Sequence, residues 1–399
     1  MNVAKSENNS LPGRPFSGLF QFLLICLPLL LFFGGLEIIA RFYESAHPVL
    51  QVDIGQGFDE SSLLFAPVPG GWMETRPEKT VSFKQQRFKM PKPPGVLRIF
   101  ALGGSSVNYL DYEFSELEKE LEHRFHASVD AVEVINCGGL SYGSHRLVLI
   151  AAEILHYQPD IVLLYSGHNE FEELQQLHLS LKNYGKVQQY LGKSAFYRLI
   201  REMRARKAIA RLEESRQARD LAQSIPDSSK TWEMVFTQEE IDGRMEAYRQ
   251  NLTMIIAQCR EAEVPLIIGT VPSNLIRPNL PGKEGQLYEE VVQLYEAGDF
   301  DEAKRRGAEI LAQASPRHQS SPVENGIIRD LARTYGVPLA DVETAVASAE
   351  PHGIPGETLF SDHCHLNEKG NRILRQQYQA LIEDIVSRRY ALEPSLGIQ

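Results

Sequence analysis

The sequence predicts an α/β domain of three layers, in which helices cover both faces of a mostly parallel sheet of five strands. Five short apolar runs, each about as long as a strand, alternate with segments of helical spacing. This alternation is typical of parallel sheets, because a crossover between parallel strands needs a helix or a long connection. Several runs also end in glycine or small polar residues, at the edge where such sheets place ligands.

The predicted strands cover residues 96–102, 132–135, 161–165, 264–271 and 337–342. The helices predicted between them cover residues 113–125, 146–156 and 244–263. Together with a final helix, these elements predict one domain over residues 96–390.

Two helical insertions interrupt the pattern, at about 172–240 and 285–318. In the first, basic and apolar residues alternate between 198 and 212, which favours a solvated helix, with contact to an anionic membrane surface as the alternative. The second resembles a single tetratricopeptide hairpin. Because one copy cannot build a solenoid, we expect a helical hairpin there, with covering of the site as one role open to it.

Composition excludes one class of function. Of the 399 residues, 43% are hydrophobic and 23% are charged, as expected for a folded chain with one large domain and appendages. The formal net charge of -11 argues against a nucleic-acid partner, since phosphate binding needs a basic surface.

The N-terminus predicts a membrane anchor. Residues 16–40 are almost wholly apolar, with no charge between Arg14 and Glu37, which suits a transmembrane signal anchor. Lys5 and Arg14 favour a cytoplasmic segment at 1–15, so the domain would lie on the periplasmic or extracellular side. A cleaved signal peptide is the competing interpretation. Residues 41–95, rich in Gly and Pro, are predicted as a stalk and lead-in with a short hairpin or edge strand, and residues 391–399 as a tail.

The cysteines do not form a disulfide framework. Cys26 lies within the apolar segment, which leaves an odd three in the rest of the chain. Free, buried thiols are expected for Cys137, Cys259 and Cys364, with a bridge from Cys137 to Cys364 as the alternative.

Candidate catalytic residues stand at the two ends of the domain. The first strand runs into Gly103-Gly104-Ser105-Ser106, where a serine is either a nucleophile or a helix cap. Near the C-terminus, Asp362 and His365 are spaced so that the carboxylate can orient the imidazole as a base. A metal site over residues 362–365 is a further interpretation, but consecutive side chains do not easily converge on one ion, so we expect neither a metal nor another cofactor.

These segments and two others resemble the blocks of the SGNH (GDSL-like) hydrolase superfamily, in the family's order. Gly104 stands where the family has aspartate, and Glu170 where aspartate is commoner. The resemblance covers about residues 95–385 without the insertions and implies a flavodoxin-like fold. The four matching blocks are Gly103-Gly104-Ser105-Ser106, Asn136-Cys137-Gly138, Gly167-His168-Asn169-Glu170 and Asp362-His363-Cys364-His365.

The resemblance implies a role for each matching residue. Ser105 would be the nucleophile, His365 its base and Asp362 the group that orients His365. The backbone N–H groups of Ser105 and Gly138 and the amide of Asn169 would form the oxyanion hole. Ser106 remains a rival nucleophile and His363 a rival base.

Three functions follow from this pattern. The first is a membrane-anchored, envelope-facing serine esterase that hydrolyses acyl or acetyl esters, with an acylated glycan or lipid among the substrates. The second is an O-acyltransferase that acts on a surface polysaccharide. The third is a non-catalytic envelope assembly protein that retains the fold.

Overall fold

The computed structural model describes residues 18–46, 63–80, 82–177, 194–197, 199–200, 203, 236–280, 282–314 and 317–392. These residues fall into two compact units. The larger covers residues 51–185 and 208–399, and the smaller covers residues 1–50 and 186–207. The site described below lies entirely in the larger unit.

Eight strands are described. Three short ones pair antiparallel in the order β1-β2-β3, and five form a parallel sheet in the order β5-β4-β6-β7-β8. The predicted five-stranded parallel sheet is therefore confirmed, with its first strand inside the sheet. The strands are β1 (Phe65–Val68), β2 (Trp72–Thr75), β3 (Arg87–Lys89), β4 (Val96–Gly103), β5 (Ala131–Gly138), β6 (Ile161–Tyr165), β7 (Leu266–Gly269) and β8 (Leu339–Ala340).

Helices connect and cover the strands of the parallel sheet, which agrees with the predicted α/β class. The predicted helix bounds differ from those of the structure by a few residues. The helices are α1 (Gly18–Ala46), α2 (Ser105–Asn108), α3 (Asp111–Phe125), α4 (Ser144–Ile154), α5 (Glu170–Leu177), α6 (Gln238–Glu261), α7 (Gly282–Glu296), α8 (Phe300–Gln313), α9 (Pro322–Tyr335), α10 (Val342–Ala349) and α11 (Glu368–Leu392).

The register of the three central strands positions the motifs. Gly103 at the end of β4 pairs with Gly138 of β5 on one side and with Tyr165 of β6 on the other. The three strands therefore end at the same level, and the chain after each strand emerges at one edge of the sheet. From Leu97 onward β4 is fully buried, because apolar side chains on both of its faces pack against helices.

The segment predicted as a stalk is in part integral to the domain. The Phe65 and Phe88 rings, from β1 and β3, lie 5.0 Å apart and belong to the main hydrophobic core. The backbone N–H groups of Leu64 and Phe65 donate to the buried carboxylate of Glu153 in α4. Strands β1, β2 and β3 therefore form a small sheet against the domain, where the sequence predicted a short hairpin or edge strand.

The second insertion forms the expected helical hairpin. Helices α7 and α8 pack through a small apolar core of their own, which includes Tyr288, Val291 and Leu311. The chain then returns through residues 317–321 to α9. Most of the first insertion lies outside the described residues.

The cysteines agree with the prediction of free thiols. Cys137, Cys259 and Cys364 are all free and buried, so the alternative bridge from Cys137 to Cys364 is not formed.

In the smaller unit, α1 contacts the short helical segment that begins at Ala195. The Glu37 carboxylate accepts hydrogen bonds from the Ser194 hydroxyl at 2.7 Å and from the Ala195 N–H at 2.9 Å. The first residues of the predicted anchor, 16 and 17, lie outside the described residues. Among the helices that are described, none combines the length and apolar character needed to cross a membrane.

Candidate active site

Ser105, His365 and Asp362 form a continuous chain of hydrogen bonds. The Ser105 Oγ lies 2.7 Å from the His365 Nε2, and the His365 Nδ1 lies 2.7 Å from the Asp362 Oδ2. Ser105 begins α2 directly after β4, whereas the other two residues lie in the loop before α11. The structure therefore brings together the predicted nucleophile, base and orienting acid from segments about 260 residues apart.

The loop that carries His365 is held rigidly. Phe360 and Leu366 form an isolated antiparallel bridge that closes it, and the Ser361 N–H donates to the His365 carbonyl at 2.8 Å. From the chain after β7, the Asn274 amide donates to the Asp362 carbonyl at 3.0 Å. These bonds hold the imidazole where it can reach the serine.

The surroundings of Asp362 favour the ionised form of its carboxyl group. Burial acts to raise its pKa, but hydrogen bonds from the His365 ring and from the N–H groups of Cys364 and His365 outweigh burial, so the pKa lies below its ordinary value. Ligand atoms of Asp362, Cys364 and His365 all lie within 4.8 Å of one another. A metal ion bound there through the His365 Nδ1 would have to replace the bond between His365 and Asp362.

The turn between β4 and α2 presents Ser105 at the edge of the sheet. Ser105 is 8% exposed, and the N–H groups of Val107 and Asn108 donate to the Gly104 carbonyl. Within the described part of the chain, no acceptor is paired with the Ser105 N–H. By contrast, the Ser106 hydroxyl is buried and has no hydrogen-bond partner among the described residues, so no base is placed to activate this rival nucleophile.

Asn169 lies directly against the nucleophile turn. Its Nδ2 donates to the Tyr142 carbonyl at 3.1 Å, which leaves the second N–H of the same nitrogen for another acceptor. A Cβ placed on Gly104 would stand 2.2 Å from this nitrogen. The glycine at the family's aspartate position therefore makes room for the Asn169 amide beside Ser105.

Gly138 does not meet the expectation for an oxyanion donor. Its N–H already donates to the Asn136 Oδ1 at 2.9 Å, and its carbonyl accepts from the Asn108 amide at 2.7 Å. A Cβ on Gly138 would lie 2.2 Å from the Asn108 backbone nitrogen. Glycine is required at position 138 because α2 approaches it too closely for a Cβ.

A buried ionic cluster supports the loop that carries Asn169. Glu173 caps α4 by accepting from the backbone N–H groups of residues 143, 145 and 146, and Glu170 accepts from that of residue 144. Arg244 of α6 pairs with Glu170 at 2.5 Å and with Glu173 at 2.9 Å, and Arg146 pairs with Glu173 at 2.9 Å. Coulomb attraction to Arg146 and Arg244 offsets the burial of Glu173 and lowers its pKa. The cluster ties the 167–170 loop to α4 and α6.

Sequence reasoning missed one group of residues at the site. His318 lies in the segment between α8 and α9, and its Nε2 is 3.2 Å from the Asn169 Oδ1 and 2.5 Å from the Glu172 Oε2. The ring of His363, the rival base, contacts the His318 Nδ1 at 3.3 Å. The ring of Tyr109, which is 54% exposed, lies 5.2 Å from the His365 ring. His318 stands in an insertion that matches no motif, so no sequence signal marked it.

A separate cavity of about 390 Å³ is lined in part by Ser320 and Ser321, which follow His318 in the chain. Its lining includes Ser273, Lys304, Ser320 and Glu343, and no member of the Ser105, His365 and Asp362 group. The hydrogen-bonded group identifies the candidate site more directly than cavity size does.

Comparisons with known proteins give a fold likeness. No protein-family model and no curated protein matches the sequence. Among solved structures, an acetyl xylan esterase is 14% identical with a TM-score of 0.40, covering 72% of this chain and 100% of that one. A GDSL-like lipase from Bacteroides thetaiotaomicron is 11% identical with a TM-score of 0.37, over 72% and 88% of the two chains. A psychrotrophic esterase from a Pseudoalteromonas species is 11% identical with a TM-score of 0.32, over 73% and 98%.

One of these solved structures is described as a GDSL-like lipase. What they hydrolyse is a property of those proteins. A function for this chain has to come from the geometry of its own residues.

Proposed function

We propose that the domain is a serine esterase that hydrolyses acyl or acetyl esters, with Ser105 as nucleophile. The observation that carries the proposal is the unbroken chain from the Ser105 Oγ through the His365 ring to the Asp362 carboxylate, with 2.7 Å at both links. Such a chain activates a hydroxyl that is a weak nucleophile on its own. Each bond lies within the range expected for a nucleophile and its base.

The reaction uses two transfers at one serine. The Ser105 Oγ attacks the ester carbonyl carbon while the His365 Nε2 takes its proton, and the C–O bond to the alcohol breaks as His365 returns that proton to the leaving oxygen. Water then attacks the acyl-serine, again giving a proton to His365, and the acid leaves as Ser105 recovers its hydrogen. Asp362, ionised at neutral pH, stabilises the imidazolium formed in both halves.

Two groups are proposed to stabilise the oxyanion. The N–H of Ser105 has no paired acceptor within the described part of the chain, and the second Nδ2 proton of Asn169 lies beside Gly104. Loss of one such donor typically costs about 3 kcal/mol of transition-state stabilisation. Gly138 is left out of this set because Asn136 takes its N–H.

The experiment compares neighbouring serines. Ser105→Ala is expected to reduce kcat for a small aryl acetate by at least about 10³-fold, because the nucleophile is removed. Ser106→Ala is the matched control, since it deletes a hydroxyl without a partner among the described residues and should leave kcat within about twofold. Equal activity of the two variants would contradict the assignment.

The acyl acceptor is proposed to be water. An assay with an acetyl ester and added sugar acceptors distinguishes hydrolysis from transfer, because transfer yields an acetylated sugar in place of free acetate. Free acetate as the only acyl product supports the esterase, and an acetylated sugar formed by wild-type protein but not by Ser105→Ala supports the acyltransferase.

We further propose that residues 16–40 attach the domain to a membrane, with the domain on the periplasmic or extracellular side. No described helix meets the criteria for a membrane span, so this proposal rests on the apolar sequence of the segment. The full chain should stay with membranes after alkaline carbonate extraction. Its release into the supernatant would contradict the proposal.

A further inference from the structure

An amide can serve as an oxyanion donor in only one of its two orientations. Rotation of the Asn169 amide by half a turn exchanges Nδ2 with Oδ1 at almost no change in shape, and the oxygen would then face the developing negative charge. The Tyr142 carbonyl, which only accepts, opposes that rotation by holding Nδ2 at 3.1 Å. A second contact acts on the oxygen of the amide.

That contact comes from His318. Its Nε2 is hydrogen-bonded to the Asn169 Oδ1 at 3.2 Å and lies 2.5 Å from the Glu172 Oε2, a close contact without hydrogen-bond geometry. Burial acts to raise the pKa of Glu172, but its close contact with the His318 ring outweighs burial and lowers that pKa, so the carboxyl is ionised at neutral pH. Since neither of these oxygens carries a proton, the His318 Nε2 has to carry one.

The other nitrogen of the ring is also accounted for. The His318 Nδ1 lies 3.3 Å from the Nε2 of His363. Burial lowers the pKa of His363 to about 4, so His363 is neutral at pH 7 and its Nε2 can donate an N–H to the His318 Nδ1. Both partners therefore favour the His318 tautomer with its proton on Nε2.

The segment that carries His318 is attached to the Asn169 loop by a further bond. The Ser320 N–H donates at 3.1 Å to the Nδ1 of His168, the residue that precedes Asn169. Burial lowers the pKa of His168, and a neutral ring can accept at this nitrogen. The His318 segment and the 167–170 loop therefore hold each other in place.

We propose that His318, oriented by Glu172, is a positioning residue that holds the Asn169 amide with Nδ2 toward the reacting carbonyl. The inference rests on the proposed function, because it concerns the oxyanion donor of that same site. It gives the segment between α8 and α9 a role in catalysis that none of the four motifs contains.

The test measures kcat and KM for an aryl acetate. His318→Leu is expected to lower kcat by about 10- to 100-fold with KM changed less than about threefold, because the amide acts on the transition state. His318→Gln should recover kcat to within about fivefold of wild type, since its side-chain N–H can donate to the same two oxygens. Melting temperatures identify any variant that fails to fold.

A double-variant comparison separates positioning from general damage. In an Asn169→Ala background, His318→Leu should change kcat less than twofold, because the group that it positions is gone. His126→Leu, the same substitution at an exposed histidine outside the site, should match wild type. A wild-type kcat for His318→Leu, an undiminished loss in the Asn169→Ala background, or failure of His318→Gln to recover activity would each overturn the inference.

Failure of this inference can be told apart from failure of the proposed function. An active Ser105→Ala variant would contradict the proposed esterase function. An inactive Ser105→Ala variant beside a fully active His318→Leu variant would leave the esterase intact and overturn the positioning role alone.

Discussion

Gly104→Ala tests how closely the Asn169 amide must approach the nucleophile turn. The backbone at Gly104, with φ -86° and ψ -151°, is open to any residue, so the substitution introduces no backbone strain. The new Cβ would lie 2.2 Å from the Asn169 Nδ2, whereas ordinary contact begins at 3.4 Å, so the amide has to move by about 1.2 Å. A misplacement of about 1 Å in a catalytic group costs on the order of 10²-fold in rate.

We therefore expect kcat for an aryl acetate to fall about 100-fold, equivalent to about 2.7 kcal/mol of transition-state stabilisation. The matched control is Gly326→Ala in α9, where a Cβ would meet nothing within 4 Å. It should keep the wild-type kcat and raise helix stability by up to about 1 kcal/mol. A Gly104→Ala enzyme that folds normally and keeps the wild-type kcat would refute the assignment of Asn169 as a donor.

Three further predictions concern the surrounding structure. Gly138→Ala should lower the melting temperature, because its Cβ would collide with the Asn108 backbone; an unchanged melting temperature would contradict that contact. Arg244→Leu should cost about 3–5 kcal/mol in urea unfolding by leaving the buried Glu170 carboxylate without a cationic partner among the described residues, and a loss below 1 kcal/mol would argue against the buried cluster. The lowered pKa of Asp362 adds stability that is complete above the unfolded pKa of about 3.9 and is lost as the pH falls below it, so the urea midpoint should fall more between pH 5 and 3 for wild type than for Asp362→Asn.

The sequence was most informative where local signals decide the structure. The strand at 161–165 was predicted with its observed bounds. A short apolar run between polar turns is long enough for a buried strand but too short for a typical helix. The prediction for β8 was longer than the two residues that pair, since pairing at a sheet edge depends on the neighbouring strand. For the small sheet that contains Phe65 and Phe88, the sequence predicted only a short hairpin or edge strand, because three- and four-residue strands carry almost no periodicity.

In the candidate site, too, residues within sequence motifs were predicted, whereas residues outside motifs were not. Ser105, Asn169, Asp362 and His365 stand in motifs, and the structure brings them together. For Gly138 the structure adds a close contact with α2 that leaves no room for a Cβ, and only the tertiary structure contains that contact. His318 is brought to the site by the path of the chain between α8 and α9, and no local sequence pattern predicts that path.

Covalent labelling of the active serine tests the central claim most directly. Wild-type protein treated with a fluorophosphonate should gain one adduct, and peptide mass spectrometry should place it on Ser105, because among the described residues this is the hydroxyl that is hydrogen-bonded to the His365 base. His365→Ala should gain little or none under the same conditions. An adduct on Ser106, or equal labelling of the His365→Ala variant, would contradict the account.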